Sequence, residues 1–170
     1  MPASAGIAVR ALRAGEWEVW RWLRLACLRE APYAFGSTYQ AEAAAQEASW
    51  RAKWIREPFS LRLVADMDGE PAGMCAVVPH PERAMAPQVI SLWVAPAARG
   101  RGVADALLTA VIGWGRAHGH DTVYLAVMAG NDRARRAYER NGFVPAPSRT
   151  AEPGPAQPRL DMVRDLTRPG

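Results

Sequence analysis

Lysine is almost missing from this chain: of 21 basic side chains only Lys53 is a lysine, the rest being arginine. That excludes a nucleotide-hydrolase phosphate loop, which needs Gly-Lys-Ser/Thr beside its glycines. Cysteine is scarce too. Cys27 and Cys75 are the two present, both in apolar contexts, which argues for buried free thiols in a reducing compartment and against a disulfide framework. No apolar run reaches about eighteen residues, so no membrane-spanning helix is expected. Met1 to Ala8 lacks a basic stretch followed by a long apolar one, so no signal peptide is read and a cytoplasmic location is the expectation. Basic residues never form a long block, so the net charge of +4 suits an anionic ligand without arguing for nucleic acid. Histidine is limited to three positions. His118 and His120 sit two apart at a helix end, where favourable C-terminal charge explains them, and no metal site is expected. His80 lies in a loop and is expected to be exposed.

What is present suits a single folded domain. The 170 residues are 49% hydrophobic with seven tryptophans, enough to build a core. Ile7–Leu12 alternates as a strand, and Gly15–Arg29 is a helix with Trp17, Trp20, Leu23 and Cys27 on one side. Gln40–Arg56 is alanine-rich and predicts one helix, with Trp50 and Trp54 a turn apart. Leu61–Asp66 and Gly73–Val78 are strands joined through Asp68-Gly69, a hairpin signal. Residues 89–95 form a strand and 103–118 a helix stopped by Gly119. Thr122–Met128 is a strand, Asp132–Asn141 a short helix, and Phe143-Val144 and Leu160–Leu166 close the sheet. Residues 145–159 hold five prolines and one glycine and read as a loop.

Between the 89–95 strand and the 103–118 helix the chain reads Arg99-Gly100-Arg101-Gly102-Val103-Ala104. A glycine-rich turn feeding a helix points several backbone N–H groups at one place, where the helix dipole adds positive charge. A phosphate or pyrophosphate is the natural occupant. A dinucleotide fingerprint fits badly, because Asp105 stands where its third small residue belongs and Asp121 falls away from a strand tip.

The spacing Arg99-x-x-Gly102-x-Ala104 resembles the pyrophosphate loop of the GNAT superfamily of N-acyltransferases. A second stretch, Asn131-x-x-Ala134-x-x-x-Tyr138-x-x-x-Gly142-Phe143, resembles the second signature of the same superfamily. Leu92 to Pro96 and Leu160 to Leu166 are similar to its strands, and Ala31 to Thr38 to a linker of one bacterial branch. The resemblance covers residues 60–166 well and the N-terminal helices more loosely.

The resemblance implies an α/β (α+β) GNAT fold in one domain. A mixed, mostly antiparallel sheet of about six or seven strands, its fourth and fifth splayed apart, is flanked by about four helices. It implies acetyl-CoA as cosubstrate. Backbone amides of Arg99, Gly100, Arg101, Gly102, Val103 and Ala104 hold the pyrophosphate, and Arg99 and Arg101 are phosphate candidates. Leu92, Trp93 and Val94 pair with the pantetheine arm. Asn131 and Ala134 complete the arm's site, and Arg133 and Arg136 are candidates for the adenosine 3′-phosphate. Tyr138 stands by the thioester sulfur as general acid. The implied reaction is acyl transfer to the primary amine of a small molecule, with Phe35, Tyr39 and Ser91 as acceptor contacts.

No carboxylate lies on the 89–95 strand, so the base stays open among a water chain, Glu30, His80 and Glu82. Two other readings remain. One is the same fold with another donor, a longer acyl-CoA or an aminoacyl-tRNA. The other is a module that binds coenzyme A without turnover. Apolar residues in the last strand suit a homodimer.

Overall fold

The computed structural model describes residues 6–32, 37–56, 61–83, 86–147 and 159–168. Its elements run β1 (Ile7–Ala11), α1 (Trp17–Glu30), α2 (Tyr39–Ala43), α3 (Glu47–Arg56), β2 (Leu61–Met67), β3 (Glu70–Pro79) and β4 (Pro87–Val94). A 3-10 turn at Pro96–Ala98 leads to α4 (Val103–Ala117), β5 (Thr122–Met128), α5 (Asp132–Arg140), β6 (Val144–Pro145) and β7 (Arg159–Asp165). The strands form one sheet of 7 in the order β1-β2-β3-β4-β5-β7-β6. Every pairing is antiparallel except β4 with β5. This is the expected mixed α/β architecture.

Alternation along the strands divides the core in two. Leu63, Ala65, Cys75 and Val77 face α4, where Val103, Leu107, Leu108 and Val111 meet them, and Phe143 and Met162 extend that layer. Val64, Met74 and Ala76 face the other way, onto Trp17, Trp20, Leu23 and Cys27 of α1 and Trp50 of α3. Both cysteines are free and buried, and burial pushes each thiol up to about 12. The hairpin turn is as expected: Asp68 and Gly69 take φ of 55° and 89° between Met67 and its partner Glu70, the left-handed pair of a two-residue turn.

The single helix expected over 40–56 is two. Glu42 causes the break. Its carbonyl accepts the indole N–H of Trp50 at 3.3 Å and the N–H of Ala45 at 3.3 Å, while its carboxylate reaches Arg24 of α1. A continuous helix would commit that carbonyl to Gln46 and carry Trp50 out of the core.

Two irregularities in β4 open the sheet beside β5. Ser91 has φ of 54°, and the register to β3 shifts between Met74 and Ala76, so that Ser91 and Leu92 lie opposite Cys75 alone. That is a β-bulge, which bends the strand. On its other side β4 pairs with β5 only at Gln88↔Tyr124 and Val89↔Leu125. Beyond Val89 the strands part, as the resemblance implies.

Gly73 lets α4 approach the sheet here. A Cβ on Gly73 would lie 2.8 Å from Val103 Cγ1 and 3.0 Å from the Trp93 carbonyl, and neither neighbour can swing aside. Gly73→Ala is expected to lose about 1–3 kcal/mol by overpacking, measured as a lower denaturant midpoint at unchanged m-value.

Candidate functional site

Where β4 and β5 separate, a cleft of about 1,080 Å³ opens. Its walls come from the end of β4, the turn into α4, the end of β5 and one face of α5. Leu92, Trp93 and Val94 form the strand wall, and Arg99, Gly100, Gly102, Val103 and Ala104 the turn. Asn131, Arg133, Ala134, Arg136 and Tyr138 face them from α5 and its entry. Thirteen of the fourteen residues expected to hold the donor or act on it therefore share one cavity.

The turn has the backbone geometry that an anion site needs. Gly100 and Gly102 have φ of 74° and 91°, a region glycine enters without strain. Gly102 caps α4 with no side-chain acceptor for the first turn. Among the described residues no side-chain acceptor and no well-aligned backbone carbonyl meets the N–H groups of Gly100 through Asp105. Open N–H groups at the positive end of a fifteen-residue helix favour a phosphate. The cleft is also large enough for a long phosphorylated ligand, so these residues fit the implied donor.

Arg101 is the exception. The left-handed glycines on either side reverse the backbone, and Arg101 turns to the β2–β3 hairpin, 3.6 Å from Asp68. It does not line the cleft, unlike the other residues expected at the donor. Arg99 lines the cleft, but its guanidinium is engaged. Nε donates to the Val94 carbonyl at 3.0 Å and Nη2 to Glu30 at 2.6 Å. Glu30 also accepts the Trp93 indole N–H at 3.1 Å. The hydrogen bond from Arg99 holds the Glu30 carboxyl below its usual range, against its desolvation, with Trp93 adding to the effect. Glu30 is thus a carboxylate at neutral pH that ties α1 to β4, and a weak base.

Asp105 is a functional neighbour that sequence reasoning missed. It accepts from Asn141 Nδ2 at 2.6 Å and from Arg140 Nη2 at 3.2 Å, pinning the end of α5 to the start of α4. Its place three residues after Gly102 reads as a helix N-terminal acid, and only the fold brings Asn141 to it. Asn131 accepts the Ala134 N–H through Oδ1 at 3.2 Å and so caps α5.

Tyr138 is 7% exposed and lies in the cleft wall beside Phe143, ring centres 6.2 Å apart. Burial pushes its hydroxyl up to about 12, with Cys75 nearby adding to the rise. It stays protonated at any physiological pH, as a donor must.

The acceptor candidates divide. Ser91 lies outside the cleft and lines a second, smaller cavity. Tyr39 lines neither cavity; its hydroxyl accepts from Arg29 at 2.6 Å and that guanidinium lies 4.8 Å above its ring. Phe35 and most of the 145–159 loop lie outside the described residues. His80, expected to be exposed, is buried: Nδ1 accepts the Glu82 N–H at 3.1 Å and the ring meets Tyr124 edge-on at 5.4 Å. Burial lowers its pKa, but neither His80 nor Glu82 lines the cleft.

Comparison with known proteins agrees with this geometry. Residues 17–143 match the model of the acetyltransferase (GNAT) family. No curated protein matches the chain. Among solved structures, a chimeric spermidine N-acetyltransferase from Vibrio cholerae and hSSAT is 19% identical, with 95% of this chain and 96% of that one covered at a TM-score of 0.70. A ribosomal-protein-alanine N-acetyltransferase from Brucella melitensis is 18% identical, with 93% and 99% covered at 0.67. A Salmonella typhimurium protein solved with its cofactor acetyl-CoA is 16% identical, with 94% of each chain covered at 0.67. At such identities the likeness establishes the fold.

The Glu30–Arg99 pair has a pH consequence. Because the folded pKa of Glu30 is depressed, its contribution to stability is present above the unfolded value of about 4.3 and is lost as pH falls through the lower folded value. Glu30→Gln should lower the melting temperature at pH 7 and flatten its decline on acidification. Thermal melts from about pH 3 to pH 7 check this.

Proposed function

The chain belongs to the acetyltransferase (GNAT) family, and from that premise we propose that it moves the acetyl group of acetyl-CoA onto the primary amine of a small molecule. Both substrates are bound together and the amine attacks directly. The observation that carries this reading is the uncapped first turn of α4 behind Gly100 and Gly102, opening into the same cleft that Tyr138 lines.

The donor supplies an activated thioester, and the protein's part is mostly placement. The N–H groups of the turn take the pyrophosphate. Arg133 and Arg136 offer guanidinium groups to further phosphate from α5. Leu92 to Val94, whose edge has no strand partner on the β5 side, offers backbone groups to the amide-bearing arm, apart from the Val94 carbonyl, which Arg99 already holds. A backbone N–H of that segment also meets negative charge developing on the thioester oxygen.

The neutral amine forms the C–N bond as the C–S bond breaks. Its surplus proton leaves to water, and Tyr138 gives its proton to the departing sulfur and regains one from solvent. With a hydroxyl pushed up to about 12 and a thiol near 8.5, the thiolate needs only a brief proton or a strong hydrogen bond. No carboxylate stands on β4, and Glu30 is held as the partner of Arg99, so water delivers the amine in neutral form. Location in the cytoplasm belongs to the same proposal.

Calorimetric titration with acetyl-CoA, paired with CoA-release assays on an amine panel, tests the reading. Tyr138→Phe should lower kcat by about 10²–10⁴-fold while leaving the Kd for acetyl-CoA nearly unchanged; a wild-type rate removes Tyr138 from the role. Gly102→Val should abolish tight acetyl-CoA binding, because φ of 91° is closed to a branched residue. With wild type, kcat/KM should rise with pH as the acceptor ammonium deprotonates, with no fall traceable to Tyr138 below about pH 11. A fall nearer neutrality would reassign the acid.

A further inference from the structure

Resting on that acetyl-transfer reading, we infer that the smaller cavity between α1, α3 and β4 is the acceptor pocket, and that it selects an amine carrying a carboxylate, not a polyamine. The bulge places it. Ile90 and Ser91 line this cavity, while Leu92, the next residue, lines the donor cleft. The left-handed turn at Ser91 directs neighbouring positions of one strand to two cavities. A ligand seated here lies one residue from the strand segment that faces the thioester arm. The cavity holds about 180 Å³, below the roughly 300–1,000 Å³ of drug-sized sites, so it suits a ligand of amino-acid size.

Three indoles, Trp20, Trp50 and Trp54, form much of its wall. Such faces ordinarily attract cations, and a tryptophan cage is a site for ammonium ligands. Here the indoles already carry the protein's own cations. Arg62 lies 3.8 Å from the Trp54 ring centre and 6.0 Å from that of Trp20. Lys53 Nζ lies 5.6 Å, and the Arg21 guanidinium 5.9 Å, from the centre of Trp50. A polyamine would add positive charge to a wall that already bears it.

The polar lining points the same way. Arg24 and Lys53 line the cavity, and no carboxylate does among the described residues. Both charged side chains of the lining are therefore basic. Glu42 meets Arg24 through Nε and Nη2, at 3.2 Å each, while Nη1 is directed to Ser91 Oγ at 3.4 Å. The Arg24 guanidinium, paired with Glu42, holds the Ser91 hydroxyl at the β4 end, and that hydroxyl and the Lys53 ammonium are the donors a carboxylate would meet in this cavity.

The test uses the full chain saturated with coenzyme A. Tryptophan fluorescence is titrated with the proteinogenic amino acids, their α-amides and spermidine, and CoA release from acetyl-CoA is measured with the same panel. At least one amino acid should quench saturably, with affinity and kcat/KM about tenfold or more above those of its amide and of spermidine. Lys53→Glu should erase most of that preference while leaving the Kd for acetyl-CoA unchanged. Equal response to amides or spermidine, or a preference that survives Lys53→Glu, overturns the inference. CoA release that is fast but indifferent to the carboxylate overturns the pocket's selectivity and leaves the transferase reading standing. Carboxylate-selective quenching without CoA release upholds the anion pocket and removes the transferase reading.

Discussion

Two residue pairs, Gln88↔Tyr124 and Val89↔Leu125, are all that join β4 to β5, and both cavities of this protein depend on how little that is. A fully paired parallel ladder would leave no cleft. A sheet without the pair would fall into two halves. The bulge at Ser91 bends β4 just after the paired stretch, and Gly73 gives α4 room to press against β3 behind it. The helix that presents its N-terminus to the cleft is thereby held at the point where the strands diverge. Apart from the Val94 carbonyl, which Arg99 holds, the edge of Leu92 to Val94 is unpaired on the β5 side, and a ligand can complete it in the way an added strand completes a sheet edge.

Arginine does several kinds of work around this frame. Arg99 fixes β4 to α1 through Val94 and Glu30. Arg140 helps Asp105 tie the two cleft helices together. Arg62 covers tryptophan faces beside the smaller cavity. Arg133 and Arg136 face the donor cleft. The planar guanidinium suits all of these, because it stacks on indoles and forks onto carboxylates and carbonyls while keeping its charge. The result is two adjoining cavities, one lined by the open N–H groups of a helix start and one by cation-covered indoles. Attack on a thioester is helped when its anionic donor is gripped at one end and the amine is steered by a second charge at the other.

Much of the donor site is legible in the residues alone. The turn Arg99–Ala104 carries its own meaning, since glycine at left-handed φ followed by an amphipathic helix dictates where backbone N–H groups point. Tyr138 follows from helical spacing after Asn131, which also caps that helix as its type favours. The residues given as acceptor contacts are far less legible. Tyr39, a substrate contact by resemblance, meets Arg29, a pairing its spacing does not reveal. The continuous helix over 40–56 fails because Glu42 gives its carbonyl and carboxylate to partners outside its own helix. His80 reads as a loop histidine, yet the end of the sheet buries it against Tyr124.

Local sequence is enough to set the strand and helix periodicities, the hairpin at Asp68-Gly69, the glycine turn before α4 and the position of Tyr138. Each of these depends on side-chain alternation, on backbone angles open to glycine or on residues three or four apart along a helix. Packing in three dimensions settles something else, namely which charges are engaged and which face a ligand. Glu30 meets Arg99 across 69 residues and Arg24 meets Ser91 across 67, while Arg101, between two glycines of the motif itself, is turned away. Spacing along a chain carries no information about such pairs, because they form only when α1, α4 and the sheet are packed together.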